Sequence, residues 1–135
     1  MSGLPIFDIA GSAMAAQTVR LNTVASNLAN TDSVTGDANT AYRARETVFS
    51  AVVDQTNPGL AGVNAGQITE SNLPPLKRFE PGNPVADAQG YVYAPNIDPV
   101  AQMVNMISSA RAYQADVEVI NTAKELALST LNLGK

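Results

Sequence analysis

The 135 residues include no cysteine and no histidine. Without cysteine there is no disulfide, no thiolate nucleophile and no cysteine-ligated zinc. Without histidine the commonest general base and the commonest transition-metal ligand are both missing. Tryptophan is absent, and aromatic residues make up only 5% of the chain. Cations are scarce: eight Lys+Arg stand against twelve Asp+Glu, for a net charge of −4. That balance argues against nucleic acid as a main partner, because phosphate contacts need clustered Lys and Arg. It also provides no basic patch for an anionic membrane surface. No apolar run approaches the roughly 20 residues of a membrane span, and the first twenty residues lack the basic start of a secretory signal. A chain that neither inserts in a membrane nor uses a cleaved signal is expected. The hydrophobic fraction is 45%, but 21 of those residues are alanine, which leaves about 30% larger apolar residues. A dense enzyme core is hard to build from that stock.

Glycine and proline divide what is present into three zones. Neither occurs from 12 to 35 or from 100 to 133, whereas 58–99 holds seven prolines and five glycines. Both residues break helices, so the two clear stretches predict helices. In the first, Phe7, Met14, Leu21 and Leu28 recur at every seventh position, with Ala10, Gln17 and Val24 three later. This is one narrow apolar seam on a helix over 7–30, about 36 Å long. Asp8 suits its positive end, and Asn30, Asp32 and Ser33 mark its exit. In the second, Met103, Ala110, Val117 and Leu131 share a heptad position that Lys124 interrupts, and Met106, Tyr113, Ile120 and Ala127 share the next. Asn96 or Asp98 can cap this helix, Pro99 suits its first turn and Gly134 its end.

The middle zone reads as strands. Residues 42–53 are β-branched and aromatic with partial alternation, and 91–94 form a short strand candidate. Residues 63–69 and 76–80 are weaker candidates. Asn57-Pro58-Gly59 and Pro81-Gly82-Asn83-Pro84 supply turns. Such an insert has too few large apolar residues for a robust core of its own. The alanines on both helices permit close approach, yet pairing the two helices still leaves Ile9, Val19, Leu126 and Leu133 on outer edges. Burial by neighbouring copies is one outcome; a self-contained helical hairpin in a monomer is the other.

A search for chemistry finds no constellation. Glu70, Glu80, Asp87 and Asp98 are candidate acids, but their spacing pairs no two of them. Asp32 and Asp37 lack the alternating oxygen ligands and terminal glutamate of a calcium loop, and no phosphate-binding glycine loop occurs. No catalytic residue, metal or cofactor is expected. Arg43 and Arg45 share one face of the first strand candidate; they suit either an acidic partner or the charged edge that discourages aggregation. Amides at Asn27, Asn30, Gln114 and Asn121 lie in otherwise apolar helical stretches. They read either as register-fixing groups or as plain exposed ones, and Asn27 and Asn121 favour the first role.

Certain motifs carry a resemblance. Leu21-Asn22-Thr23-Val24-Ala25-Ser26-Asn27-Leu28-Ala29-Asn30, followed by Tyr42-Arg43-Ala44, resembles the N-terminal signature of bacterial flagellar axial proteins. The stretch from Met103 to Ala115, with Ala110-Arg111-Ala112-Tyr113-Gln114-Ala115, resembles their C-terminal signature, as does the ending Leu131-Asn132-Leu133-Gly134. The insert residues Glu80-Pro81-Gly82-Asn83-Pro84 and Asp87-Ala88-Gln89-Gly90-Tyr91-Val92, with the short length, are similar to the proximal rod branch of that family. Two positions depart from the pattern: Asn83 stands where histidine is common, and Asp116 where asparagine is common.

The resemblance implies a fold that is mainly α with a small β insert. Long terminal helices pair as an antiparallel coiled coil, with an irregular β-rich region between them. The expected division is 1–32, 33–96 and 97–135. It implies a structural subunit of the flagellar basal-body rod, a drive shaft enclosing the export channel and spanning the periplasm. Its implied partners are other copies of itself, the rod proteins FlgB, FlgF and FlgG, and the rod-base adaptor FliE. The surrounding rings are candidate contacts, and the flagellar type III export apparatus is the implied export route. The seam residues and the four amides would then form the subunit interface. Another short axial protein such as FlgB, or a soluble helical export chaperone or adaptor, is the alternative.

Overall fold

The computed structural model describes residues 5–55, 57 and 59–134. Helix α1 spans Pro5–Ala29 and helix α2 Pro99–Leu133. Pro5 and Pro99 open their helices where a missing N–H costs nothing. The Asp98 carboxylate accepts the Val100 and Ala101 amides at 2.9 and 3.3 Å, capping α2. Asn96 does not cap; it donates to the Pro74 carbonyl at 3.2 Å. The exit of α1 is closed by side chains: Asn30 Nδ2 donates to Ser26 O at 2.8 Å and Thr31 Oγ1 to Asn27 O at 3.0 Å. These satisfy the orphan carbonyls of the last turn.

Between the helices lie two antiparallel hairpins. Strands β1 (Arg45–Val53) and β2 (Ala61–Glu70) pair with Arg45 opposite Glu70 and Val53 opposite Ala61, the register slipping between Val48 and Ser50. Of the first expected turn, Pro58 lies outside the described residues. Strands β3 (Leu76–Phe79) and β4 (Tyr91–Ala94) pair with Leu76 opposite Ala94. The region is thus more regular than its glycine and proline content suggests. Gly90, at φ 82°, turns the chain into β4 in a conformation only glycine adopts cheaply. Val92, fully buried, and Ala94 and Pro95 pin β4 beneath the chain that leaves α1, where Thr35 and Tyr93 exchange backbone hydrogen bonds at 3.0 and 2.8 Å.

Helix α1 is the centre of the molecule. One side packs on α2 and the other on β1 and β2. The helices run antiparallel: Arg20 reaches Asn105 at 3.2 Å, Asn27 reaches Gln102 at 3.1 Å, and Ile6 shares a hollow with Ala123, Ala127 and Leu131. The buried apolar side chains are small: Ala10, Ala16, Ala41, Ala94 and Ala123, with Val24 and Val92 the bulkiest of them. Among the described residues no helix is long and apolar enough to cross a membrane.

The phase of the α2 seam differs from the heptad expectation. Met106, Tyr113, Ile120 and Ala127 are half-buried, but Met103 and Leu131 are exposed. The buried residues of α2 are Ser109 and Ala123, one position before Ala110 and Lys124. Small side chains let two helices approach closely, so the packed line runs through them and the bulky residues are turned away. Leu131, in the last turns of α2, lines the open hollow beside Ile6 near the start of α1.

Candidate assembly interface

The four candidate carboxylates have structural partners and do not meet. Glu70 lies 3.9 Å from Arg45 and Glu80 3.5 Å from Arg78. Asp87 accepts the Gln89 and Tyr91 amides at 2.9 and 2.8 Å inside the β3–β4 loop, and Asp98 is the α2 cap. No group of three acidic residues fit for a metal occurs among the described residues.

The central polar feature is Asn27, 1% exposed. Its Oδ1 accepts the Arg45 amide at 2.9 Å and the Tyr42 hydroxyl at 3.1 Å. Its Nδ2 donates to the Arg45 carbonyl at 2.8 Å and to Gln102 Oε1 at 3.1 Å. Two donors and two acceptor sites are therefore all used. One amide ties α1 to the first residue of β1 and to the first turns of α2. Ser26, 3.0 Å from the Tyr42 hydroxyl, holds that tyrosine, and Thr47 reaches Thr23 at 3.0 Å one turn away. Farther along, the Val63 amide donates to Ser12 Oγ at 3.1 Å, so the hairpin follows α1 along its length. Spacing alone gave no sign of these partners, because half of Asn27's contacts are backbone groups of a segment 18 residues away.

Arg43 lies outside β1 and donates to the Ser71 carbonyl at 3.4 Å; Arg45 opens the strand and stands over the Tyr42 ring at 5.7 Å. Both are engaged within the chain, and they do not share a strand face. Asn30 caps α1, whereas Gln114 and Asn121 are exposed. On α1, Val24 is buried and Phe7, Met14, Leu21 and Leu28 are half-buried; Ala110 and Val117 are half-buried on α2.

What remains exposed is bulky. On α2, Val100, Met103, Val104 and Ile107 are each more than half exposed, as are Leu126, Leu128 and Leu131, and Leu133 is 89% exposed. A hollow of about 530 Å³ is open and lined by Ile6, Ala123, Leu126, Ala127, Thr130 and Leu131. A small alanine-rich interior beneath a large apolar exterior has the character of a subunit that presents an interaction surface.

That class has a name in the sequence comparisons. A family model described as flagella basal body rod protein matches residues 7–36, and one described as flagellar basal body rod FlgEFG protein C-terminal matches 88–133. The chain is 55% identical over 137 residues to the flagellar basal-body rod protein FlgC of Salmonella typhimurium, with all of both chains covered. It is 54% identical to FlgC of Yersinia enterocolitica, again over the full length of both. With FlgC of Aquifex aeolicus identity is 42% over 129 residues, covering 95% of this chain and 94% of that one. The chain belongs to the FlgC family of flagellar basal-body rod proteins, and it is a structural rod subunit. The matched segments are α1 with its exit, and β4 with α2: the parts that Asn27, Thr35 and Tyr93 bring together.

Proposed function

We propose that the chain builds the proximal rod, with its two terminal helices forming a coiled-coil layer around the export channel and its hairpins packing outside. The observation that carries this reading is the bare apolar surface of α2, which a single copy leaves in water. Repeated copies joined by contacts that do not close generate a helical tube. Many modest lateral contacts then sum to a shaft stiff enough to transmit torque. In this reading 1–32 and 97–135 act as one helical unit and 33–96 as the insert. The half-buried line Phe7, Met14, Leu21, Leu28, Met106, Tyr113, Ile120 and Ala127 holds the pair together. Met103 and Leu131 meet neighbours, and Gln114 and Asn121 set their register.

The neighbours are other copies, FlgB, FlgF, FlgG and FliE, with the rings outside. The chain reaches them through the type III export apparatus, and the rod crosses the periplasm. The absence of cysteine suits passage through a narrow channel with no oxidation step afterwards. The test is complementation of a strain lacking its own copy. Leu21→Asp or Ile120→Asp places an unpaired charge in a helix contact, at a cost of several kcal/mol in the assembled state. Neither variant should enter isolated basal bodies or restore swimming; normal motility would refute the seam.

A further inference from the structure

Helix α1 turns one line of residues towards α2. Ile6 shares a hollow with Ala123 and Leu131, Ala10 and Val24 are buried, and Arg20 donates to Asn105 across the pair. Gln17 belongs to the same line. It stands seven residues after Ala10 and seven before Val24, and three helical turns after Ile6. Its Oε1 is buried, yet among the described residues it accepts no hydrogen bond, and no other buried side-chain nitrogen or oxygen there is left in that state.

The polar groups around that level are engaged elsewhere. Gln17 lies one turn before Arg20, and the helices are antiparallel, so it comes level with the turn after Asn105, where Ser109 is fully buried. The Ser109 hydroxyl has one proton, and donates it to the Asn105 carbonyl of its own helix at 2.7 Å. Arg20 is directed at Asn105, and Gln102 at Asn27. We infer that Gln17 is a weak point in the α1–α2 contact: its orphaned carbonyl keeps the pairing marginal in a single copy, so that the helices separate readily for export. This inference rests on the proposed passage through the type III apparatus. A buried polar group without a partner loses its water and finds no replacement for it. The alanine-rich contact has little apolar area to offset that loss, so one orphan weighs on the whole pair. A seam amide fixes helix register through a partner; lacking one, Gln17 acts on stability. Passage through a narrow channel needs separated helices, and the separated fraction rises as pairing weakens.

The test compares the full-length wild-type chain with Gln17→Met and Gln17→Glu. Glutamine, methionine and glutamate form helices about equally well, so intrinsic propensity is held constant. In the purified chain, amide exchange over 10–24 and 102–113 should slow by about tenfold or more in Gln17→Met, which continues the apolar line of Ala10 and Val24 with an unbranched side chain. It should accelerate in Gln17→Glu at neutral pH, where a carboxylate would be buried unpaired. In cells expressing wild type and Gln17→Met in equal amounts, the slower-opening variant should be depleted from the exported fraction. Exchange unchanged or faster in Gln17→Met would overturn the inference. So would a Gln17→Glu chain as protected as the wild type, which would place the side chain in water, or equal export of a Gln17→Met chain whose exchange has slowed. The rod reading is decided separately, by the presence of the wild-type chain in isolated basal bodies, so the two fail by different observations.

Discussion

At the residue scale, Asn27 shows how much one buried amide can hold. Removing its side chain leaves the Arg45 amide and carbonyl, the Tyr42 hydroxyl and Gln102 without this partner. Buried groups that lose a hydrogen bond each cost about 1–3 kcal/mol, and networks fail together. Asn27→Leu should therefore lower the free energy of unfolding by about 3 kcal/mol in urea titration. Asn30→Ala, which removes one cap bond at the exit of α1, should cost only about 1 kcal/mol. Equal losses would mean that the buried network adds nothing beyond single bonds. Gly36 makes a second, steric point. A Cβ there would collide with the Val85 carbonyl oxygen, a backbone atom that cannot rotate away. Gly36→Ala should lower Tm by several degrees, on the order of 1–3 kcal/mol of overpacking, although Gly36 is half-buried and touches no proposed interface. An unchanged melting curve would show that the 80–90 loop yields freely.

At the scale of elements, the helices were legible because the signals that start and stop them are local. Pro99, Asp98 and the glycine-free run to Leu133 are read directly along the chain, and β4 at Tyr91–Ala94 was legible from three β-formers in a row. Which strand pairs with which was not, since the Arg45–Glu70 register depends on how α1 carries the hairpin. Within one copy, the seam on α2 divides between covered and exposed residues for a physical reason. Ranking residues by hydrophobicity selects Met103 and Leu131, but burial within one copy selects Ser109 and Ala123. If α2 meets neighbours in the proposed rod, its bulkiest residues need not serve the fold of one copy. The Asp98 cap gives an element-scale test. Asp98→Ala removes both bonds to Val100 and Ala101 and should cost about 1 kcal/mol. Amide exchange should speed up in the first turn of α2 while the middle of the helix is unchanged. Exchange unaltered at Val100 and Ala101 would mean that Pro99 and the Asn27–Gln102 contact fix the turn without the cap.

At the scale of the molecule, stability should be graded along α2. Near its start Asn27 and Arg20 bind Gln102 and Asn105, and the fully buried Ser109 donates back to the Asn105 carbonyl at 2.7 Å. Near its end, after Ala123, no residue of α2 is buried and four leucines stand in water. Local opening free energies follow buried contacts, from near zero where they are few to the global value where they are dense. Amide exchange on the isolated chain at low concentration should therefore be slowest over 102–113 and fastest over 126–133. The β1–β2 hairpin should fall between, protected where Asn27, Thr23 and Ser12 fasten it and open towards its tip. In basal bodies the same amides of 126–133 should slow by at least about 100-fold, because burial against neighbours supplies the contacts the single chain lacks. Uniform protection of α2 in the isolated chain would mean that helix pairing is self-sufficient, and that the apolar exterior is not what drives assembly. A gradient that persists in the rod would place the subunit contacts on the start of α2 and the hairpins, leaving the last two turns free.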